Sequence, residues 1–473
     1  MSDLARKTIH DLAPLIERRE VSPVEVTREV LARIDALDRR LHAFITVRPD
    51  EALAAARQAE LEIGRGEYRG PLHGVPIGIK DNIAVAGWPA TNGSAAMRDF
   101  VPDYDATAVT RLREAGALIL GKNNQHEWAL SGTSLWSAFG RIHNPWDEAR
   151  VPGGSSGGSA AAVSASLAYA SVGSDNRGSV RIPASYCGVV GLKATYGLVS
   201  RFGQLPATSA TTDHLGPLAK DVTDAALLLN VLAGHDPADP TSIRSEPKDY
   251  TDGIRHGVRG LRVGVPRNFF FEQAAEDVQI LVRQAIEQLE VLGAELRPVD
   301  LPSLRHLSFA SGGVPTEMGN FLLPLVKQGR SAFTDPMLWE RLVIGQFSRA
   351  ADAIQAARIR NLIGWEFKAA MEQVDLLAMP TMMTCAPTIE DALDPAKRVS
   401  DGVIVLTAPF NLNGMPTISV PCGFTGEGLP VGLSLAGRHW EDHLVLRAAY
   451  AYEQATSGGY AVPPIAQEQA VGS

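Results

Sequence analysis

The sequence of 473 residues lacks the features that mark several classes of protein. Its 3 cysteines, Cys187, Cys385 and Cys422, are too few and too scattered for a disulfide framework. The 11 histidines form no His-Glu-x-x-His motif, and none stands near a cysteine at metal-binding spacing. These absences argue against a disulfide-stapled secreted domain, and they predict a protein without a bound metal or other cofactor.

Long hydrophobic runs and an excess of basic residues are also missing. The longest weakly polar stretch, 159–173, is too short to span a bilayer, and residues 1–12 lack the apolar core of a signal peptide. The net charge of −9 and the pI of about 5.7 show no basic footprint for nucleic acid or anionic membrane. We therefore expect a cytoplasmic protein with no nucleic-acid partner and no membrane contact.

The patterns that are present alternate between strands and helices. Apolar residues make up 45% of the chain and charged residues 21%, as in an ordinary globular protein. Short apolar runs bounded by Gly or Pro predict strands at 74–80, 117–122, 261–266, 375–380, 417–423 and 430–437. Helical spacing of apolar residues, with a capping box at Ser22 and Glu25, predicts helices at about 24–40, 50–63, 107–115, 275–292 and 349–374 and a last one from about 441. Such alternation predicts an α/β fold with helices on the faces of a sheet.

The densest run of small residues is VPGGSSGGSAAAV (151–163), which leads into an Ala-rich helix. Its backbone N–H groups could approach a ligand closely. A phosphate-binding loop would need a Lys and a Ser or Thr after Gly158, where the chain has Ser159 and Ala160. The loop by itself is equally consistent with a structural turn and a ligand site.

Two further segments carry chemically useful side chains. In ASVGSDNRGSVRIPA (170–184), a polar turn after a strand places Ser179 among successive backbone N–H groups, as acyl transfer requires. A plain surface turn is the alternative. In GVPIGIKDN (74–82), Lys80 ends an apolar strand, where burial would lower its pKa toward that of a useful base. A surface pair between Lys80 and Asp81 is the alternative there.

Taken together, these segments resemble the amidase signature family of Ser-cisSer-Lys hydrolases. GGSSGGSAAAV, GSVRIPA and CGVVGLK follow one another over 153–193, and GVPIGIKD resembles the Lys segment of the family. SAFGRIHNPWD (137–147), GMPTISVPCGF (414–424) and GLPVGL (428–433) resemble its other landmarks. The resemblance covers about 5–455, and several long motifs in the right order make it specific.

The resemblance implies a role for individual residues. Ser179 matches the nucleophile, Lys80 the base, and Ser155 the bridging serine, which in the family sits at a cis peptide bond. The oxyanion is expected on backbone N–H groups of the turn Asn176, Arg177, Gly178 and Ser179. Contacts to the substrate are expected from Ser131, Gly132 and Thr133, and support of the site from Ser156, Asp175 and Arg181.

The sequence also departs from the family pattern. The turn before the nucleophile usually reads Asp-Thr-Gly-Gly-Ser, whereas here Asn176 and Arg177 follow Asp175. Arg177 either recognises a carboxylate or carbonyl of the substrate, or turns away and pairs with an acidic neighbour such as Asp175. Ser434 stands where the family commonly has Gln. We expect His126 and Trp128 to be a satisfied, partly buried pair and Cys187 to be a small core residue.

By resemblance, the fold is a mixed central β-sheet sandwiched by α-helices. We expect one amidase domain over 1–473, with N-terminal helices (3–64), a signature core (70–235), a variable helical region that contributes to the substrate pocket (301–372) and a C-terminal core (373–458). The implied activity is that of an amidohydrolase, cleaving a carboxamide, anilide or carbamate- or urea-type bond of a small molecule through an acyl-enzyme. The alternative is an amidotransferase A-type subunit that generates ammonia for transfer-RNA-dependent amidation. The altered turn and Ser434 favour the hydrolase, and a homodimer is a family-level expectation.

Overall fold

The structure is a computed structural model, which describes residues 4–205, 211–246, 248–311, 313–456 and 460–467, without the side chains of 313–315. Its strands are β1 (Phe44–Val47), β2 (Pro76–Lys80), β3 (Leu118–Asn123), β4 (Ala170–Ser174), β5 (Val190–Lys193), β6 (Leu215–Ala219), β7 (Arg262–Pro266), β8 (Glu295–Val299), β9 (Leu376–Pro380), β10 (Thr417–Phe424) and β11 (Pro430–Gly437).

The α-helices of the described residues include several single turns. They are α1 (Ile9–Glu17), α2 (Pro23–Leu41), α3 (Pro49–Gly64), α4 (Thr107–Glu114), α5 (Gly157–Ser164), α6 (Arg181–Cys187), α7 (Val222–Leu232), α8 (Phe270–Gln273), α9 (Glu276–Val291), α10 (Leu307–Ala310), α11 (Gly313–Phe321), α12 (Leu323–Gln328), α13 (Leu338–Gln346), α14 (Ala350–Gln373), α15 (Ile389–Leu393), α16 (Val399–Gly402), α17 (Pro409–Leu412), α18 (Asp442–Ala455) and α19 (Pro464–Gln467). Short 3₁₀ turns lie at Leu4–Arg6, Ala95–Met97, Glu127–Ala129, Pro302–His306, Arg330–Ala332 and Pro395–Lys397. Among these helices, none combines the length and apolarity that crossing a bilayer requires.

The strands join into one mixed sheet of 11 strands in the order β1-β3-β2-β4-β6-β5-β10-β11-β9-β7-β8. β2 runs parallel to both β3 and β4, and β7 runs parallel to β8 and β9, while the other neighbours are antiparallel. Every residue of β2, β3 and β4 is buried, because helices cover both faces there. The predicted α/β fold with a mixed, helix-covered sheet is confirmed.

Local sequence accounts for how the helices begin. At α2, the Ser22 side chain accepts a hydrogen bond from the backbone N–H of Val24, and the Glu25 carboxylate accepts one from the N–H of Ser22. This is the predicted capping box, which satisfies two N–H groups that a helix start leaves open. The variable region 301–372 is helical, and two of its helices, α11 and α13, pack on a small apolar cluster separate from the main core.

The parallel strands determine where polar side chains collect. The carboxyl ends of β2, β3 and β4 lie side by side, and a ligand site is expected at such an edge of an α/β sheet. Lys80 is the last residue of β2, and the polar turn with Ser179 follows β4. The loop with Ser155 enters α5, which packs against β4 and α6. The sheet therefore brings the three sequence segments to one edge.

Candidate active site

Lys80 is fully buried and bonded to hydroxyl groups. Its Nζ lies 2.7 Å from Ser155 Oγ and 2.8 Å from Ser174 Oγ. Burial lowers the pKa of Lys80 to about 7, although the charges of Asp213, Asp175 and Asp81 act in the opposite direction. The alternative of a surface pair with Asp81 is wrong, since both side chains are fully buried. A lysine that can be neutral near neutral pH is suited to accept a proton.

Ser155 follows a cis peptide bond between Gly154 and Ser155. Its carbonyl oxygen accepts hydrogen bonds from the N–H of His126 at 3.1 Å and from Ser134 Oγ at 3.4 Å. The next residue, Ser156, donates its N–H to the carbonyl of Ser179 at 3.2 Å. The structure thus ties the loop of Ser155 directly to the residue that matches the nucleophile.

Ser179 is the part of this cluster that solvent can reach. Its exposed fraction is 8%, whereas Lys80 and Ser155 are both at 0%. The order from inside to outside is therefore a lysine, a bridging hydroxyl and an accessible hydroxyl. This order suits a nucleophile activated by a buried base.

Asp175 and Arg181 hold the turn before Ser179. Arg181 donates from Nε and Nη2 to the two Asp175 oxygens at 3.0 Å each, and both side chains are fully buried. Burial alone would raise the pKa of Asp175, and the Arg181 guanidinium outweighs it and holds this pKa well below its usual range. Asn411 completes the pair by accepting from Arg181 and donating to Asp175. The Ser156 hydroxyl lies nearby and donates to the carbonyl of Ser174 at 3.2 Å.

The expected set of oxyanion donors needs one correction. The N–H of Gly178 donates to Asp175 Oδ1 at 2.7 Å, so this group is already engaged. Gly178 instead supplies a backbone φ of +120°, which side chains disfavour. The N–H groups of Asn176, Arg177 and Ser179 remain the candidates for binding an oxyanion.

Two polar residues beside Lys80 were not singled out from the sequence. Ser174 ends β4 and receives hydrogen bonds from Lys80 and, at 3.1 Å, from Asn82 Nδ2. Both residues lie within the quoted segments, Ser174 before Asp175 and Asn82 two positions after Lys80. The motifs around Ser174 and Asn82 were recognised in the sequence, but only the pairing of β2 with β4 shows that these two residues meet.

A cavity of about 220 Å³ adjoins the turn before Ser179. Arg177 and Ser131 line it together with Arg341, Ser400, Asp401 and the apolar residues Leu130, Met318, Leu338, Leu342 and Ile404. Arg341 donates to Ser400 Oγ at 3.3 Å and to Asp401 at 3.4 Å. Arg341 carries no motif and is remote in sequence, so sequence reasoning missed it. Gly132 and Thr133 do not line this cavity, and Thr133 is buried behind Ser131, 2.9 Å from its hydroxyl.

Arg177 does not pair with Asp175, because Arg181 takes that carboxylate. Within the described part of the chain, no hydrogen bond or ion pair to the Arg177 side chain is found, and this side chain borders the cavity. Burial, and then the nearby charge of Arg341, lower the pKa of Arg177 to about 10. Two guanidinium groups and one carboxylate, Asp401, line the cavity, so the balance of charge around it favours an anion.

The remaining predicted residues lie in the interior. Cys187 is fully buried, and burial raises the pKa of its thiol. His126 and Trp128 are both buried, and His126 Nε2 has the Asp335 carboxylate as a partner. The expectation of a satisfied pair is wrong, because His126 Nδ1 and the Trp128 indole N–H have no hydrogen-bond partner among the described residues. Ser434 lies in β11 against the Thr381 hydroxyl.

His10, Asp221 and Asp224 form a group of possible metal ligands, but Asp224 already accepts the N–H groups of Ile9 and His10 at the start of α1.

The mixed, helix-covered sheet is that of the amidase class of C–N hydrolases. The chain belongs to the amidase family, whose model matches residues 25–446. It is 42% identical to the A-type subunit of the glutamyl-tRNA(Gln) amidotransferase of Moorella thermoacetica, over 95% of this chain and 96% of that protein. The peptide amidase of Stenotrophomonas maltophilia superposes with a TM-score of 0.85 at 35% identity, over 98% and 99% of the two chains.

A third relative comes from a protein complex that reveals the evolutionary origins of an s-triazine catabolic enzyme. This chain matches it with a TM-score of 0.91 at 31% identity, over 96% of this chain and 99% of the relative. The proteins that this chain resembles therefore include both components of assemblies and a peptide amidase.

The relatives also correct the expectation that nucleic acid is excluded as a partner. The Moorella protein is named for a tRNA substrate, and proteins of the same name in two Geobacter strains are each 41% identical to this chain. A net charge of −9 sums over the whole surface, and in an assembly another protein can supply the basic contacts. Charge alone therefore gives no ground for excluding nucleic acid.

Proposed function

We propose that this chain cleaves the C–N bond of a small carboxamide through an acyl-enzyme on Ser179, as the ammonia-releasing component of a tRNA-dependent amidotransferase. The observation that carries the chemistry is the 2.7 Å contact between the fully buried Lys80 amine and the Ser155 hydroxyl, next to the accessible Ser179. Among the residues that the structure describes, no histidine side chain is hydrogen-bonded to Lys80.

The proposed steps follow the order of the three side chains. Neutral Lys80 takes a proton from Ser155, Ser155 takes one from Ser179, and Ser179 Oγ attacks the amide carbon. The N–H groups of Asn176, Arg177 and Ser179 bind the oxyanion, and removing one such donor costs roughly 10²–10³ in kcat in a comparable site. The proton returns through Ser155 to the leaving nitrogen, ammonia departs, and water cleaves the ester.

The cavity indicates the class of substrate. Arg177 and Arg341 favour a carboxylate, and a cavity of about 220 Å³ fits a small molecule. An amide such as glutamine carries a carboxamide at one end and a carboxylate at the other. We propose that the carboxylate binds between the two arginines while the carboxamide reaches Ser179.

The proposal that this chain is part of an assembly is supported by its relatives. Several are named as amidotransferase subunits, and this chain matches them over almost their whole length. The partner proteins and the tRNA of such an assembly would then be partners of this chain. A cytoplasmic location, which the free cysteines favour, fits this assignment.

A free-standing hydrolase is the second candidate, and the turn around Arg177 favours it. The peptide amidase and the relative from the s-triazine complex share the fold over almost the whole chain. In this case the same arginines would select a carboxylated amide, carbamate or urea-type compound, and the acyl-enzyme would be hydrolysed without passing ammonia on.

Ammonia release from glutamine by the purified chain, alone and with the other subunits of such an amidotransferase, separates these candidates. The first proposal expects glutamine turnover that the other subunits increase and that Ser179→Ala abolishes. Preference for an anilide or aryl carbamate, unchanged by added subunits, supports the free-standing hydrolase. Turnover that persists in Ser179→Ala contradicts both.

A further inference from the structure

Two remote segments meet beside the active site through buried polar contacts, which we call the Glu127–Asp335 clasp (His126, Glu127, Thr334 and Asp335). The Glu127 carboxylate accepts the N–H groups of Thr334 at 2.7 Å and of Asp335 at 2.8 Å. His126 Nε2 lies 3.1 Å from the Asp335 carboxylate. The side chains of His126, Glu127 and Asp335 are almost fully buried, so water competes little for these bonds.

One end of the clasp is anchored at the catalytic loop. The N–H of His126 donates to the carbonyl of Ser155 at 3.1 Å, and the N–H of Glu127 donates to the carbonyl of Trp136 at 2.7 Å. The other oxygen of Glu127 accepts the Ser94 hydroxyl at 2.7 Å. Glu127 is therefore fixed with respect to Ser155 before it contacts the helical region.

The other end leads to Arg341. Asp335 Oδ1 accepts the N–H of Met337 at 2.9 Å, and its carbonyl accepts the N–H of Leu338, the first residue of α13. The N–H of Arg341 donates to the carbonyl of Met337 at 3.2 Å. An unbroken run of hydrogen bonds thus connects the Ser155 segment with the helix that carries Arg341.

The way in which α13 packs makes its position dependent on the clasp. The helix α13 lies on a small cluster formed with Trp128, Met318 and Leu322, which is separate from the main core. Its position is therefore not fixed by the sheet itself. A shift of about 1 Å in a positioning group is enough to change catalysis strongly.

We propose that Glu127 and Asp335 are positioning residues, which set the place of Arg341 relative to Ser155 and Ser179 and thereby determine selectivity for a carboxylated amide. The inference rests on the proposed function of the cavity. Neither residue needs to touch the substrate, and the effect of each passes through α13.

The test compares glutaramate, which has a carboxamide and a carboxylate, with pentanamide, which has a methyl group in place of the carboxylate. We expect Glu127→Ala and Asp335→Ala to lower kcat/KM for glutaramate by about tenfold or more, mainly through KM, with kcat for pentanamide within about threefold. Glu127→Gln and Asp335→Asn keep hydrogen-bonding groups in place and should retain selectivity within about threefold. Glu340 is an exposed residue of α13 outside the clasp, so Glu340→Ala is the control. This variant should leave kcat/KM unchanged for both glutaramate and pentanamide.

A double variant distinguishes positioning from general damage. Because the clasp acts through Arg341, Glu127→Ala combined with Arg341→Met should be no less selective than Arg341→Met alone. Multiplying effects, or an equal loss of kcat on both substrates, overturns the inference. If the alanine variants do not fold, Glu127→Asp, whose shorter side chain cannot reach both N–H groups in the same way, is expected to lower selectivity by at least about threefold, and unchanged selectivity overturns the inference. If Arg341→Met itself leaves selectivity unchanged, the proposed carboxylate site fails as well.

Discussion

At the scale of single residues, Lys80 has the most unusual environment of the candidate site. It lies at the end of a buried strand, with the hydroxyl groups of Ser155 and Ser174 within hydrogen-bond distance of its amine. Loss of hydration is the main reason why its pKa falls to about 7. The lysine can therefore change its charge in the range where the enzyme is expected to work.

A pH–rate profile tests this point. Neutral Lys80 is the proposed base, so raising the pH through about 7 removes its proton and should raise kcat/KM toward a plateau. Steady-state rates between about pH 5 and pH 9 measure the midpoint. A profile that falls with rising pH over this range contradicts the role of Lys80 as a base.

Lys193 provides the control for that profile. It is also buried, and burial lowers its pKa to about 7, but its Nζ donates to the carbonyls of Met415 and Ala194 rather than to Ser155. Lys193→Gln should keep the midpoint in the same place. A midpoint that disappears in this variant assigns the titration to Lys193.

At the scale of elements, the turn 175–179 depends on a glycine for its shape. Gly178 has a φ of +120°, and a Cβ built there would lie 2.1 Å from Thr407 Oγ1. Thr407 in turn donates to the carbonyl of Arg177 at 2.5 Å. A side chain at position 178 must therefore displace the backbone that carries the oxyanion donors.

We expect Gly178→Ala to lower kcat by about 10²-fold or more, the scale of losing an oxyanion donor. The matched control is Gly428→Ala, at a φ of +77° with nothing within 4 Å of its Cβ. That variant also places a side chain at a positive φ, but without a steric clash and outside the turn, and should keep its kcat. Steady-state kinetics, with thermal unfolding of both variants, make the comparison; full activity of Gly178→Ala contradicts the account of the turn.

Elements with strong local patterns were the ones that the sequence predicted. The apolar runs at β2, β3, β9, β10 and β11 are strands within one or two residues of their expected bounds. β1, β5, β6 and β8 were not predicted. β5 and β6 are fully buried inner strands of only four and five residues, whereas β1 and β8 are edge strands, and three of the five residues of β8 are exposed. A half-solvated edge strand carries little of the apolar signal on which such predictions depend.

At the scale of the whole molecule, the contacts between distant segments could not be predicted from local patterns. Motif resemblance singled out Lys80, Ser155 and Ser179 as candidates, because these lie in long and specific segments, and the fold brings their segments together. Arg341 and Asp335 lie in the variable helical region, where no motif points to them, and only the folded chain places them beside Ser131 and His126. The net charge wrongly excluded a nucleic-acid partner because it averages over the whole surface, whereas binding depends on the charges at one local part of it.

The most direct measurement of the central claim is covalent labelling of the purified chain with a fluorophosphonate, followed by peptide mass spectrometry. We expect one labelled residue, Ser179, with labelling slowed strongly in Lys80→Ala and Ser155→Ala, because both side chains are needed to activate the Ser179 hydroxyl. Label on a different serine, or labelling of Ser179 at the same rate without Lys80, would contradict the proposed catalytic centre.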